Sequence, residues 1–216
     1  LLIPPLGSTN ILYILSAILA ILAFILRIGF MGRNDLVFFG LVFLVGAYNV
    51  YTFNTSESDV FQTDTRYNHV QIFYMDYWIS GEPIKVMKVN DEYSSAMYPD
   101  NDSLVYEYLQ FYQLAEHFNP GFRKALIIGG AAYSYPRHYL QEYPGATIDV
   151  VEIDPGLTEL AREHFRLEDD PRMRIFHEDG RTYLNHCRET YDVIFGDAYK
   201  SLMAIPFQLA TQEAIQ

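Results

Sequence analysis

Two long apolar runs open the chain and are separated by a short polar loop. Leu1–Leu26 and Leu36–Ser56 contain no charged residue. A helix rises about 1.5 Å per residue, so each run can cover the roughly 30 Å hydrocarbon core of a bilayer. The pattern predicts a segment 1–56 with two transmembrane helices, about Asn10–Ile28 and Leu36–Phe53. A buried core hairpin and a cleaved signal peptide are the alternatives.

A different periodicity follows the acidic linker Asn54–Asp64. The stretch Tyr67–Phe73 alternates apolar and polar residues, and Ile84–Val89 is a second such stretch behind a turn. Alternation with period two is typical of half-buried strands. In Leu104–Phe118 the apolar residues recur at helical spacing. The segment 57–120 is therefore predicted to be a small antiparallel β unit followed by a helix.

From residue 121 onward, short apolar runs alternate with helical patterns. The predicted strands are Lys124–Ile128, Thr147–Glu152, Met173–Phe176 and Tyr191–Phe195, and the predicted helices are Tyr135–Glu142, Gly156–Phe165 and Arg181–Cys187. Such alternation predicts an α/β fold with a Rossmann-like parallel sheet and right-handed crossovers. Sheets of this kind usually have more than four strands, so the domain 121–216 is expected to be incomplete at its C-terminus. The chain also begins without Met, and we expect a fragment of a longer protein.

The charge distribution limits the possible partners. The formal net charge is −12 and lies almost wholly after the apolar runs, with Cys187 as the single cysteine. This acidity argues against nucleic acid and anionic lipid surfaces, and it is compatible with a cationic ligand. One cysteine excludes an intrachain disulfide and a thiol–metal cluster. The six histidines show no metal-ligand spacing, so no metal site is expected.

The candidate site follows from where the predicted strands end. Ligands of such sheets bind outside the carboxyl ends of the strands. These ends carry Gly129-Gly130, Glu152 with Asp154, Asp179-Gly180, and Asp197. Glu152 is placed to accept hydrogen bonds from two ribose hydroxyls, Asp179 from an adenine amine, and Asp197 is placed to hold or deprotonate an amine. The alternatives are a helix cap for Asp154 and ordinary turn residues for Asp179 and Asp197.

The glycine turn favours a particular class of ligand. Phosphate-binding turns of this fold carry Gly-x-Gly-x-x-Gly, whereas this turn reads Gly129-Gly130-Ala-Ala-Tyr-Ser without a third glycine. A ligand with a sugar and a base but no phosphate fits better. S-adenosylmethionine and its decarboxylated form are such ligands and would act as co-substrates, with no permanently bound cofactor.

In order and spacing, these motifs resemble the spermidine synthase (polyamine aminopropyltransferase) family. The resemblance rests on Leu126–Gly130, Val151–Pro155, Asp179–Arg181 and Tyr191–Asp197 and covers roughly Tyr67 to Glu213. The turn residues after Gly130 and the stretch Ile205–Leu209 resemble the bacterial branch that fuses this domain to transmembrane helices. The resemblance implies a methyltransferase-type sheet and aminopropyl transfer from decarboxylated S-adenosylmethionine to an amine such as putrescine, in polyamine biosynthesis.

The resemblance also implies roles for individual residues. Asp197 matches the aspartate that takes the proton of the attacking amine. Gly129, Gly130, Glu152, Asp179, Gly180 and Asn68 would bind the nucleoside, and Tyr106, Glu107 and Tyr199 would bind the amine. A homodimer and a small-molecule amine substrate are the expected partners.

Two positions depart from the family pattern. Ala132 stands where the family has the aspartate that grips the aminopropyl ammonium group, and Lys200 stands where it has a second carboxylate. These departures keep two other hypotheses open. One is an S-adenosylmethionine-dependent methyltransferase acting on another small molecule, and the other is a non-catalytic membrane sensor of a nucleoside or polyamine.

The predicted location combines two arguments. Arg27 and Arg33 in the loop between the apolar runs indicate a cytoplasmic loop, which would place the remainder on the other side. Nucleoside donors are made in the cytoplasm, and we give this argument more weight. The expectation is a multi-pass protein in the lipid bilayer of a bacterial inner membrane with a cytoplasmic catalytic domain.

Overall fold

The computed structural model describes residues 8–27, 32, 37, 39–48, 60–199 and 204–215. The chain divides into two compact units, Leu1–Asp64 and Thr65–Gln216. The first unit contains helix α1 (Ser8–Arg27), further helical residues at 37 and 39–48, and strand β1 (Phe61–Asp64). The three-part division predicted from the sequence stays a prediction.

The predicted transmembrane helices are not supported. Among the described residues, no helix is both long enough and apolar enough to cross a membrane. Helix α1 begins with Ser-Thr-Asn and ends at Arg27, so its apolar part runs from Ile11 to Leu26. At about 1.5 Å per residue this part extends about 24 Å, less than the roughly 30 Å of a hydrocarbon core. The second predicted helix, Leu36–Phe53, lies partly outside the described residues. The prediction of a multi-pass membrane protein was therefore wrong.

The second unit begins with antiparallel strands. These are β2 (His69–Asp76), β3 (Pro83–Val89) and β4 (Glu92–Met97), with β3 paired to both neighbours. Val70, Ile84 and Val86 are fully buried, as the predicted alternation requires. The antiparallel unit is thus present, although the sequence analysis did not identify β4.

The helix predicted over Leu104–Phe118 begins only at Glu107 and is not one regular α-helix. The segment forms helix α2 (Glu107–Gln110), a 3₁₀ turn (Phe111–Gln113) and helix α3 (Leu114–Phe118). Leu104 forms an isolated antiparallel bridge with Met97, so the chain is still extended there. The helix begins only after Tyr106, whose side chain makes no capping hydrogen bond. Tyr112 of the 3₁₀ turn packs against Phe195 of the parallel sheet, with ring centroids 4.9 Å apart.

The α/β part matches the predicted Rossmann-like architecture. Its elements are β5 (Lys124–Ile128), α4 (Ser134–Glu142), β6 (Thr147–Val151), α5 (Pro155–His164), β7 (Met173–Phe176), α6 (Gly180–His186), β8 (Val193–Gly196), a 3₁₀ turn (Phe207–Leu209) and α7 (Gln212–Ile215). The strands are parallel in the order β7-β6-β5-β8. In β5, Ala125 to Ile128 are all buried, because helices cover both faces of such a sheet.

This strand order fixes where the functional residues meet. β5 lies between β6 and β8, so the turn after β5 is flanked by the ends of both neighbours. The chain passes from β5 to its neighbour β6 and then to β7. It then crosses back to β8, which lies on the other side of β5. Such a switch point is where open α/β sheets bind ligands. The residues after β5, β6 and β8 are therefore brought to one edge.

Candidate nucleoside and amine site

The turn after β5 is shaped by a glycine that a side chain would disrupt. Gly129 has φ +102°, a conformation that residues with a Cβ rarely adopt. A Cβ at Gly129 would lie 2.5 Å from the carbonyl oxygen of Asp197. The backbone N–H of Asp197 donates to the carbonyl of Ile128 at 2.9 Å. The close approach therefore holds the candidate catalytic aspartate directly beside the glycine turn.

Glu152 holds the other side of the same turn. Its Oε2 accepts hydrogen bonds from the N–H groups of Gly130 (2.9 Å) and Ala131 (3.0 Å). Its Oε1 accepts from the N–H of Asp154 at 2.9 Å, and the side chain is buried. A carboxylate has about four lone-pair sites, so room remains for about one further donor. The sequence analysis predicted two ribose hydroxyls at Glu152, and the three amides leave space for one.

Asp154 is a structural residue, which agrees with its alternative interpretation as a helix cap. It is fully buried and caps α5, with Oδ1 accepting from the N–H of Gly156 at 3.0 Å. Its Oδ2 accepts from Nδ2 of Asn68 at 2.7 Å and from the hydroxyl of Thr65. Pro155 at the first helical position completes a common helix start. Asn68, predicted to bind the nucleoside, thus ties the antiparallel unit to the cap.

Asp179 also caps a helix. Its Oδ1 accepts from the N–H of Thr182 at 2.9 Å and from the Thr182 hydroxyl at 3.2 Å, at the start of α6. The side chain is only partly buried. A Cβ at Gly180 would lie 2.5 Å from Cγ2 of Ile128, so this turn packs tightly against the end of β5. The cap and the tight packing place the Asp179-Gly180 turn at the same edge as Gly129.

Asp197 lies among phenols. The hydroxyl of Tyr108 donates to its Oδ1 at 3.2 Å. Burial raises the pKa of Asp197 to about 6, and the hydroxyls of Tyr108 and Tyr112 oppose that rise. Tyr112 lies near the same carboxylate, but its buried hydroxyl does not reach hydrogen-bond geometry. At neutral pH most Asp197 side chains are therefore ionised and able to accept a proton.

The predicted amine-binding residues divide into two groups. Tyr106 is buried, its hydroxyl has no hydrogen-bond partner, and its ring stacks on Tyr108 with centroids 6.2 Å apart. Glu107 is exposed in the first turn of α2. Tyr199 is half exposed and raises the pKa of Tyr108 through its charge. Tyr199 is thus near Asp197, whereas no direct contact of Tyr106 or Glu107 with Asp197 is found among the described residues.

Ala132 is buried away from solvent. It is fully inaccessible and belongs to an apolar cluster with Val70, Met87 and Leu157. Its N–H donates to the hydroxyl of Ser95 at 3.2 Å. This position therefore offers no carboxylate for an ammonium group. The other departure, Lys200, lies outside the described residues.

Sequence reasoning did not identify Tyr108 and Tyr112 as site residues. Tyr108 and Asp197 are 89 positions apart, and the aromatic spacing in 104–118 was attributed to a core helix. The signal in the sequence that could have identified Tyr108 is its position directly after Tyr106 and Glu107, which were predicted to bind the amine. The predicted absence of a metal site stays a prediction, and the described residues contain no group of three or more metal-ligating side chains.

Comparisons with known proteins agree with this geometry. The model of the Spermine/spermidine synthase domain matches residues 107–211. The polyamine aminopropyltransferase of Streptococcus pneumoniae serotype 4 is 36% identical over 108 residues, covering 47% of this chain and 37% of that protein. A probable polyamine aminopropyl transferase of Bifidobacterium longum is 41% identical over 90 residues, covering 41% of this chain and 19% of that protein. The predicted resemblance to the spermidine synthase family is supported.

Solved structures show the same fold. A probable spermidine synthase from Corynebacterium glutamicum has a TM-score of 0.59 at 23% identity, covering 70% of this chain and 56% of that chain. Spermidine synthase from Thermotoga maritima has a TM-score of 0.52 at 21% identity, covering 72% and 51%. The chain spans less than half the length of the curated relatives given above. Nothing in the comparisons supports the membrane-fused branch.

Proposed function

We propose that this chain carries the nucleoside and amine site of an aminopropyltransferase. The reaction transfers the aminopropyl group of decarboxylated S-adenosylmethionine to an amine such as putrescine, in polyamine biosynthesis. One observation carries the proposal: Asp197, an acid bonded to a phenol, is held against the glycine turn that Glu152 braces. The matches to polyamine aminopropyltransferases named above support it.

The proposed chemistry needs a base and an oriented donor. The amine nitrogen attacks the aminopropyl carbon bound to sulfur, so that a new C–N bond forms and the C–S bond breaks. Methylthioadenosine leaves with the electron pair on sulfur, and the proton of the attacking nitrogen passes to Asp197. The charge of Asp197 also attracts the cationic amine, because no Lys or Arg pairs with it in the described part of the chain.

The remaining site residues have proposed binding roles. Glu152 takes one ribose hydroxyl with its free lone pair, and the Asp179-Gly180 turn lies against the adenine. Gly129 and Gly130 let the turn backbone lie against the Asp197 carbonyl and the Tyr133 ring, which shapes the proposed nucleoside side of the site. Tyr199 lines the amine side, with Tyr106 and Glu107 further out. Asn68 acts indirectly, through its hydrogen bond to the Asp154 cap.

Product formation tests this proposal. The purified protein is incubated with decarboxylated S-adenosylmethionine and putrescine, and spermidine and methylthioadenosine are measured by mass spectrometry. Equal amounts of both products are expected, and an Asp197→Asn preparation serves as the control. If neither product forms, or if the variant is equally active, the proposal is wrong.

One observation favours a second function. Ala132 is buried among apolar side chains and leaves the donor's ammonium group without a carboxylate partner. S-adenosylmethionine carries its own carboxylate beside that ammonium group, so its zwitterionic end depends less on such a partner than the decarboxylated form does. Calorimetric affinities for the carboxylated and decarboxylated nucleosides separate the two, because an aminopropyltransferase must prefer the decarboxylated form. The homodimer stays a prediction, which light scattering tests.

A further inference from the structure

Two phenols lie near the carboxylate of Asp197. Tyr108 in α2 donates a hydrogen bond to Oδ1 at 3.2 Å. Tyr112, one helical turn later, has a buried hydroxyl with no hydrogen-bond partner, close to the same carboxylate. A buried hydroxyl without a hydrogen-bond partner is unfavourable, so a hydrogen bond from it to a nearby acceptor is strongly favoured.

The rings that carry these hydroxyls are fixed by packing. Tyr108 stacks on Tyr106 and meets Tyr112 edge-on, with centroids 6.2 and 6.1 Å apart. Tyr112 packs against Tyr135 at 4.8 Å and against Phe195 at 4.9 Å. Phe195 belongs to β8, two residues before Asp197. Tyr112 therefore packs against β8, and Asp197 directly follows the end of that strand.

Both phenols stay protonated and can donate. Burial, followed by the charge of Asp197, raises the pKa of Tyr108 and of Tyr112 above the ordinary value. The other titratable groups that act on this pair are Tyr199, which influences both, and Tyr135, which influences Tyr112. Among the described residues none of these groups is a cation. Asp197 is thus stabilised in its ionised form by neutral donors.

We propose that Tyr108 and Tyr112 form a phenol cradle that positions the Asp197 carboxylate and keeps it ionised without a cationic partner. The geometry and the ionised state do not depend on the proposed function. Only the use of the ionised carboxylate, which is to accept the amine proton, rests on the proposed function. The phenols are positioning residues that act through Asp197. Neutral donors leave the negative charge of Asp197 available to an incoming ammonium group, whereas a lysine or arginine partner would cancel it.

The cradle is tested by titrating Asp197 without substrate. The protein is labelled with ¹³C-aspartate, Asp197→Asn identifies the signal, and the carboxyl shift is followed from pH 4 to pH 8. Tyr108→Phe and Tyr112→Phe each remove one donor and keep the ring. We expect Tyr108→Phe to move the midpoint upwards by about 0.5–1 pH unit, the size of one ordinary hydrogen bond. Tyr112→Phe removes a hydroxyl that lies near the carboxylate without a hydrogen bond, so it should move the midpoint upwards by a smaller amount.

A matched control is available outside the site. The hydroxyl of Tyr143 donates to Glu116 at 3.4 Å, so Tyr143→Phe also removes a phenol–carboxylate contact. It should leave the Asp197 midpoint unchanged. Unchanged midpoints in both cradle variants would overturn the proposal, and so would a shift of equal size in the control. Lost turnover with an unmoved midpoint would show a purely structural role and overturn it as well.

The same titration separates this inference from the proposed function. If the wild type forms no spermidine but the midpoints move, the cradle stands and the proposed reaction fails. If transfer occurs but the midpoints do not move, the reaction stands and the cradle fails. In an active protein, the acidic limb of the pH profile of kcat/KM should move with the titration midpoint.

Discussion

The two ends of the parallel sheet treat their charged side chains differently. At the N-terminal ends of the strands, each acid discussed below is paired with a cation or bound by backbone amides. At the C-terminal ends, the acids contact amides, hydroxyls and phenols, and no lysine or arginine pairs with Glu152, Asp154, Asp179 or Asp197 in the described ranges. Asp154 and Asp179 still hold the fold as helix caps, whereas Asp197 has only neutral partners in the described ranges and keeps its charge available to a ligand.

Asp149, the middle residue of β6, shows the arrangement towards the N-terminal ends of the strands. Its buried carboxylate accepts two hydrogen bonds from Arg174, at 2.8 and 2.5 Å, and one from the hydroxyl of Tyr191 at 2.7 Å. Lys124 pairs with Glu189 at the same end. Asp192 accepts from the N–H groups of Arg123 and Lys124, both at 2.9 Å. The cationic partners of Asp149 and Glu189 cancel the negative charge that would attract a cationic substrate.

Asp197 shows the opposite arrangement. Its partners are neutral, burial raises its pKa to about 6, and its backbone lies against Gly129. Perturbed acids of this kind cluster at functional sites because catalysis needs a base that titrates near the working pH. The comparison therefore supports the proposal that the chemistry takes place at the C-terminal end.

The largest expected effect is the loss of the proposed base. Asp197→Asn keeps the shape of the side chain but cannot accept the amine proton, so transfer should fall by about 10²- to 10⁴-fold. Affinity for methylthioadenosine, measured by calorimetry, should stay within a few-fold. Asp91→Asn, an exposed acid outside the site, is the control and should be fully active. An Asp197→Asn protein with wild-type turnover would support a non-catalytic role instead.

The next effect concerns the glycine bend. In Gly129→Ala the new Cβ collides with the Asp197 carbonyl at 2.5 Å and must also adopt φ +102°. We expect loss of nucleoside binding together with a lower free energy of unfolding. Gly121→Ala provides the matched control, because its φ is +80° and its Cβ would meet no atom within 4 Å. It should cost stability, on the order of 1–3 kcal/mol, but leave nucleoside affinity unchanged. Equal affinity losses in both variants would contradict the proposed contact.

Removal of a charge at the opposite end should affect stability only. In Asp149→Asn the hydrogen bonds of Arg174 and Tyr191 are weakened inside the sheet. The free energy of unfolding in urea should fall by about 1–3 kcal/mol, the usual cost of leaving a buried polar group poorly paired. Nucleoside affinity of the folded variant should not change. A selective loss of affinity at full stability would break the division between the two ends.

The smallest effect is a difference in pH dependence. The folded pKa of Asp197 lies above its ordinary value, so this residue lowers stability as pH rises from about 4 to about 6. At the other end, backbone amides lower the pKa of Asp192 and Lys124 lowers that of Glu189, so their stabilisation is lost as pH falls. Urea titrations of Asp197→Asn and Asp192→Asn should therefore differ from wild type with opposite pH trends. Identical pH trends in the two variants would contradict the opposite pKa shifts of Asp197 and Asp192.

The sequence predicted what local rules determine. The short apolar runs gave the four parallel strands, and the Asp154-Pro155 pair gave the start of α5, because burial and capping depend on neighbouring residues. The strand ends also placed Gly129, Glu152 and Asp197 at one edge, since parallel strands share their direction. The antiparallel unit was predicted from alternation alone.

The errors arose where local patterns are insufficient. The predicted span Asn10–Ile28 counted Asn10 and Arg27, so its apolar part was shorter than the span as a whole. The late start and the 3₁₀ turn of the segment 104–118 were not visible in its periodicity, and neither was the packing of Tyr112 against Phe195, 83 positions away. For the same reason the contact of Tyr108 with Asp197 could not be predicted.

The most direct test of the central claim is a calorimetric titration of methylthioadenosine into the wild type and into Glu152→Gln. Glu152 joins the glycine turn to the proposed ribose position, and the variant keeps the side chain's shape but loses its charge. We predict saturable binding to the wild type and at least a tenfold weaker affinity for the variant. Equal affinities, or no binding to the wild type, would contradict a nucleoside site at this edge of the sheet.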